Sequence, residues 1–234
     1  MLNQNKNRQF RFLFAILAIF VFGEMSGCNH GNAEVDEQTT EIHPPTVVSS
    51  QTTLARVKRA AERDLDTYLA KIPKDRLGEY GFQTLDELKA VEVGPPIPVY
   101  NALNSLFSAE SPDQDTSLFV ATATWRVPLE VTGEWRALAT VAQQGGGYRI
   151  VDLGAAGLAR SLDRERQSLP SNASAPFLLR IHKTRQDWLG YRTQEQEERF
   201  RRLEIAPPMD TVRRPPLSRT ALVDQLKKSV GVSR

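Results

Sequence analysis

Cysteine and histidine are scarce in this sequence. Cys28 is the one thiol, so no disulfide forms within the chain. Nucleophilic catalysis needs a Ser or Cys served by a histidine that a carboxylate orients, yet only His182 lies beyond the first 43 residues, and no Gly-x-Ser-x-Gly elbow occurs. We therefore expect no catalytic residues. We also expect no metal site, because His30 and His43 have no third ligand at a useful spacing.

Cofactor motifs are missing as well. A phosphate loop needs a strand before its glycines and a helix N-terminus after them, whereas a strand-like segment follows the glycines at 145–147 and no Gly-Lys-Ser/Thr is present. Residues 154–157 stand between a predicted strand and a predicted helix but lack the three-glycine dinucleotide spacing. We expect a hairpin turn at 145–147, close packing at 154–157, and no cofactor.

The sequence carries no excess charge of either sign. Its formal net charge is +2, and the first 27 residues account for this excess through Lys6, Arg8 and Arg11 against Glu24. Without them the chain is near neutral. Because phosphate binding depends on clustered positive charge, nucleic acid is excluded as an expected partner.

No apolar run is long enough to cross a bilayer, which takes about 20 helical residues. The longest, FLFAILAIFVF, covers residues 12–22 and follows a polar, basic start. A positive start and 7–15 apolar residues are typical of a secretory signal peptide. Small residues come next, and they lead directly to Cys28.

The residues Met25, Ser26, Gly27 and Cys28 resemble the bacterial lipobox. The resemblance implies cleavage between Gly27 and Cys28, a diacylglyceryl group on the Cys28 sulfur, and membrane attachment through the lipid anchor. Asn29, which follows, favours the outer over the inner membrane in such proteins. A plain signal peptide with an incidental cysteine, and an uncleaved signal anchor, are the alternatives.

Composition divides the chain into four segments: residues 1–27 as lipoprotein signal peptide, 28–53 as tether, 54–183 as globular domain, and 184–234 as a charged, helical, Pro-containing extension. The tether contains no Lys or Arg and little apolar surface, so we expect it to be a flexible spacer.

Apolar residues at three- and four-residue steps predict a long helix from Leu54 that Pro73 ends. Thr84 and Glu87 have capping-box spacing before a short helix. The prolines at 95–98 predict that no central strand runs there, with an edge strand at 99–103. We expect a loop at 108–116, strands at 119–127, 135–142, 148–153 and 177–183, helices at 155–169 and 195–202, and a last helix with Ser218 as its N-cap. In the strand at 119–127, Trp125 and the other odd-numbered residues alternate with Thr122, Thr124 and Arg126, which is the period of a half-buried strand.

This order predicts an α+β domain in which a long N-terminal helix packs on an antiparallel sheet, with additional C-terminal helices. The order is loosely similar to cystatin-like folds. Trp125, Trp135 and Tyr148 are candidates for an aromatic ligand face, with core packing as the alternative. Asp152, near a strand end, is a candidate acid or base, with capping of the next helix as the simpler role.

These features predict a membrane-anchored cell-envelope lipoprotein, in the cell membrane or outer membrane, whose non-enzymatic domain binds an envelope protein, peptide or polymer. One alternative is an envelope hydrolase with a carboxylate-based site. A further alternative is a cystatin-like protease inhibitor or chaperone.

Overall fold

A computed structural model describes residues 50–107, 118–205 and 214–231, all within one compact unit that extends from Ile42 to Arg234. The predicted signal peptide, the lipobox residues Gly27 and Cys28, most of the tether, and the predicted loop at 108–116 lie outside the described residues.

The described residues contain four α-helices, which form where the sequence predicts helical periodicity or caps. They are α1 (Gln51–Leu69), α2 (Leu85–Lys89), α3 (Ala156–Gln167) and α4 (Arg219–Ser229), and short 3-10 segments cover Lys74–Tyr80, Asn104–Phe107 and His182–Thr184. The side chains of Ser50, Thr84 and Ser218 cap α1, α2 and α4, each accepting a backbone N–H three residues on. The predicted Thr84 and Ser218 caps are therefore confirmed.

The described strands form one sheet. They are β1 (Glu92–Val93), β2 (Ile97–Ala102), β3 (Phe119–Val131), β4 (Glu134–Gln144), β5 (Gly147–Gly154), β6 (Ser174–Ile181), β7 (Gln186–Arg192), β8 (Glu198–Arg202) and β9 (Leu217–Ser218). Their order is β5-β4-β3-β2-β6-β7-β8-β9, and β1 pairs with β3. Every pairing is antiparallel except that of β2 with β6. The fold is therefore α+β with a large, mostly antiparallel sheet.

The prediction for the proline-containing segment was wrong, because β2 is a central strand between β3 and β6. Pro98 pairs with Trp125 of β3 next to a register shift, and the parallel ladder to β6 begins only at Val99. The missing proline N–H therefore lies at an irregular point, before the second ladder starts.

The prediction of a helix at 195–202 was also wrong, because residues 198–202 form strand β8. Phe200 is fully buried and pairs with Gly190 of β7. Strands β7 and β8 continue the sheet beyond β6, so this part of the predicted extension belongs to the same sheet as the strands before it.

Helices lie on both faces of the sheet. Val127, Ala139 and other side chains of β3–β5 pack with α1, while Phe177 and Phe200 pack with Leu222 of α4 in a second cluster. Alternate residues of β4, including Leu138, pack with α3 in a third cluster. Because successive strand residues point to opposite faces, α3 covers the face opposite to α1.

Helix α1 also covers the edge of the sheet formed by β5. The Tyr68 hydroxyl donates to the Ile150 carbonyl at 2.5 Å, and Asp64 Oδ2 accepts from the Ile150 N–H at 3.2 Å. Arg63 donates to the Tyr148 carbonyl at 2.9 Å. Three side chains of α1 thus occupy backbone groups that an unprotected edge would offer to another chain.

Candidate functional site

Helix α3 covers only part of its face of the sheet and leaves a polar area beside it. Ile97, Trp135 and Leu178 are buried in the α3 cluster, but further along the strands the same face carries side chains that are exposed or half-buried. We call this area the open sheet face, and its members are Asn101, Val120, Thr122, Thr124, Arg126, Thr140, Arg149, Asp152, Arg180 and Asp187.

The alternation of β3 and β4 explains why these residues share one face. Trp125 and Val127 face α1, so Arg126 between them faces the other way. Arg126 is directly opposite Thr140 of β4, and Thr140 is opposite Asp152 of β5. On the other side of β2, Arg180 of β6 is opposite Asp187 of β7.

Arg126 is a half-buried charged residue near the middle of the open sheet face. Its Nη1 donates to the Thr140 hydroxyl, and Arg126 makes no ion pair in the described part of the chain. Burial lowers the pKa of the Arg126 guanidinium, and the nearby positive charge of Arg180 lowers it further, against smaller raising effects of Asp152 and Asp187. A guanidinium has five N–H donors, so most of those on Arg126 stay available.

Two pairs of polar side chains beside Arg126 are linked by hydrogen bonds. Arg180 Nε donates to Asp187 Oδ1 at 3.0 Å. The Thr122 and Thr124 hydroxyl oxygens are 2.7 Å apart, and the Thr122 hydroxyl also donates to the Val99 carbonyl at 2.9 Å. These contacts hold the surroundings of Arg126 in place.

The candidate acid-base residues of the sequence do not form a catalytic group with each other. His182 Nε2 is 3.2 Å from the Asn101 amide oxygen, with no carboxylate partner in the described ranges. Asp152 is exposed in β5 and does not cap α3, because the N-cap is Ala155 in a left-handed conformation with no side-chain hydrogen bond. The expected capping role of Asp152 was therefore wrong.

Two of the three predicted ligand-face aromatics come together. The Trp125 and Tyr148 rings meet edge to face with centroids 5.2 Å apart, on the α1 side of the sheet. Trp135 lies in the α3 cluster, where Arg166 stacks on its ring at 4.6 Å and its Nε1 donates to Glu130 at 2.9 Å. Trp125 and Trp135 are both buried, so packing occupies most of their surface.

The chain matches no protein-family model, no curated protein and no solved structure.

A cleft of about 470 Å³ lies between α1 and the β4–β5 hairpin. Its charged groups are Arg63, Asp64 and Arg149. Arg63 Nε donates to Asp64 Oδ1 at 2.7 Å, which lowers the pKa of the Asp64 carboxyl, and the N–H of Ile150 lowers it further. Because Arg63 and Asp64 form hydrogen bonds to the backbone of β5, we interpret this cleft as part of the contact through which α1 protects the sheet edge.

The glycines expected to form a hairpin turn do so. Gly145 and Gly146 connect β4 to β5 with φ values of 54° and 78°, in the left-handed region that glycine adopts without strain. Among the described residues, no three His, Cys, Asp or Glu side chains are grouped to hold a metal ion, and no helix has the length and apolarity to cross a membrane.

Arg126 and Arg180 were not predicted to be site residues from the sequence. The alternation of Thr122, Thr124 and Arg126 with apolar residues did indicate a half-exposed strand face. Arg180 lies near Arg126 because β2 and β6 pair in parallel. No local sequence pattern indicates this pairing.

Proposed function

We propose that this protein is a membrane-anchored cell-envelope lipoprotein whose domain binds an envelope protein or peptide through the open sheet face. The observation that carries the proposal is an uncovered sheet area centred on Arg126, a half-buried guanidinium without an ion-pair partner in the described residues. An antiparallel sheet can expose a polar face to water, so the support for a binding role comes from the half-buried Arg126 on that face rather than from exposure alone.

The anchor part of the proposal rests on residues 25–28. Cleavage before Cys28 and acylation of its sulfur would fix the chain to the cell membrane or the outer membrane. The residues from Cys28 up to the start of α1 would act as the spacer. Two or three acyl chains hold a protein stably where one is marginal, because each buried methylene contributes about 0.8 kcal/mol.

Mass spectrometry of the mature N-terminus tests the anchor. We expect an N-terminal peptide that begins at Cys28 and carries added acyl mass, and a Cys28→Ala chain that lacks this mass and leaves the membrane fraction. An unmodified Cys28, or a native chain that retains Met1, would contradict the anchor.

In-cell crosslinking tests the binding role. Val120 on the open sheet face and Leu85 on α2 are each 43% exposed, so a photo-crosslinking amino acid at each makes a matched pair. We expect one defined, saturable adduct with an envelope protein from position 120 and none from position 85. Equal crosslinking from both positions would show that the contacts are not specific.

The fold relation is a proposal too. A long helix, α1, packs on the antiparallel meander β3–β4–β5, and this arrangement supports the loosely cystatin-like comparison. An inhibitor or chaperone role would be a special case of protein binding, and identification of the crosslinked partner would decide it.

The rival function, an envelope hydrolase, needs converging carboxylates. On the open sheet face the two carboxylates, Asp152 and Asp187, belong to β5 and β7, which are separated by five strand spacings of about 4.8 Å each along the sheet. Paired carboxylates in glycoside hydrolysis are within about 10 Å. This geometry favours binding over hydrolysis at this face.

A further inference from the structure

We propose that Arg126 binds a carboxylate side chain of an acidic peptide segment that lies across the open sheet face. This inference rests on the proposed binding function and names the chemistry of the partner.

Arg126 differs from the other cations of the open sheet face because it is half-buried and makes no ion pair among the described residues. The cations of this face are Arg126, Arg149 and Arg180, and its anions are Asp152 and Asp187. Arg180 is paired with Asp187 at 3.0 Å. Arg149 is exposed at the hairpin end and lines the cleft beside Asp64, whose pKa it helps Arg63 to lower. Arg126 is half-buried, and within the described ranges its one hydrogen-bond partner is the Thr140 hydroxyl.

A half-buried charge without a counter-ion carries a desolvation cost that a bound anion removes. With one guanidinium Nη engaged by Thr140, the remaining N–H donors of Arg126 can form the fork that a carboxylate accepts with both oxygens. The mutually paired Thr122 and Thr124 hydroxyls, together with the Arg180–Asp187 pair, limit movement of the neighbouring side chains.

The carboxylates on either side of Arg126 favour a monoanion over a polyanion. The exposed Asp152 is two strands away on β5 and is not in contact with Arg126, but together with Asp187 it would repel a phosphate dianion or an anionic polymer more strongly than a single carboxylate. The area between β5 and β7 spans about 24 Å along the sheet. A width of this size accommodates a peptide segment better than a small metabolite.

Threonine-methyl NMR on the full chain in detergent micelles tests the proposal, because Thr140 contacts Arg126 directly. The probes are two peptides of identical sequence, Ac-Thr-Val-Glu-Val-Thr-amide and its Gln counterpart, together with inorganic phosphate and polyphosphate. A Thr140→Ser variant assigns the signal. We expect the Glu peptide to shift the Thr140 methyl saturably and to bind at least tenfold more tightly than the Gln peptide.

Variants on the same face provide the controls. Arg126→Met should abolish the preference for the Glu peptide, Arg126→Lys should retain part of it because the charge remains without the fork, and Arg149→Met should change binding less than twofold. Melting curves of all three variants show whether each is folded. Equal binding of the two peptides, tighter binding of phosphate or polyphosphate, or an equal effect of Arg149→Met would overturn the proposal.

Failure of this inference is distinguishable from failure of the proposed function. If crosslinks from position 120 persist in the Arg126→Met chain while neither peptide binds, the open sheet face binds a partner by other contacts, and the carboxylate is excluded. If position 120 gives no specific crosslink in cells, the binding function itself fails.

Discussion

At the scale of single residues, Arg126 has opposing effects on stability and binding. Its burial without a counter-ion disfavours the folded state, as the lowered pKa of its guanidinium indicates. Replacement of such a group by an apolar side chain of similar length is often neutral or stabilising. We therefore expect Arg126→Met to keep or raise the free energy of unfolding by up to about 1 kcal/mol, measured by urea denaturation of the unliganded chain.

Arg136 of β4 is the comparison for this expectation, because it is half-buried and near two carboxylates, Glu134 at 3.2 Å and Glu87 at 3.7 Å. Arg136→Met leaves those carboxylates without their cation and should lower the free energy of unfolding by about 1 kcal/mol or more. If both substitutions destabilise the chain equally, Arg126 is a structural residue and the binding assignment loses its physical basis.

At the scale of elements, the contacts between α1 and β5 should make stability depend on pH. The folded-state pKa of Asp64 is lowered, chiefly by Arg63 and further by the Ile150 N–H. The contribution of Asp64 to the free energy of unfolding is therefore fully present at pH values above its unfolded-state pKa of about 3.9. It is lost as pH falls through the folded-state pKa. We expect Asp64→Ala to cost about 1 kcal/mol at pH 7 and almost nothing near pH 2, measured by thermal unfolding across pH.

Asp86→Ala is the matched control, since Asp86 also pairs with a basic neighbour but its side chain is 88% exposed. Solvent screening makes such pairs weak, so its removal should leave the melting temperature nearly unchanged at every pH. A pH-independent loss on Asp64→Ala would mean that packing, not the charge, holds α1 on the β5 edge.

Elements with a local signal were predictable from sequence, and those defined by distant partners were not. Ser218 and Thr84 cap their helices with hydrogen bonds that span three residues, and the turn at Gly145 needs only its own backbone. By contrast, the burial of Phe200 depends on β7, and the central position of β2 depends on β6, which is about 80 residues further along the chain.

At the scale of the whole molecule, the same distinction applies to the candidate site. The sequence indicated that Arg126 would face away from the Trp125 side of β3, because side chains alternate along a strand. It did not indicate that Arg180 and Asp187 would approach on the same face, since this requires the complete strand order. The open sheet face is thus a property of the assembled sheet.

Continuity of the sheet beyond residue 184 leads to a prediction for truncation. A chain that ends after residue 183 loses β7, β8 and α4, and it exposes Phe177 and Leu179, which these elements bury. Each such side chain contributes about 1.5–3 kcal/mol, and a whole domain has only about 5–15 kcal/mol of net stability. We therefore expect the truncated chain to show no cooperative thermal transition by circular dichroism, whereas a chain ending after Gly231 should melt like the full chain. A cooperative transition in the shorter chain would show that β1–β6 and α1–α3 fold independently. The open sheet face would then lose Asp187 but keep the strands that carry its other members.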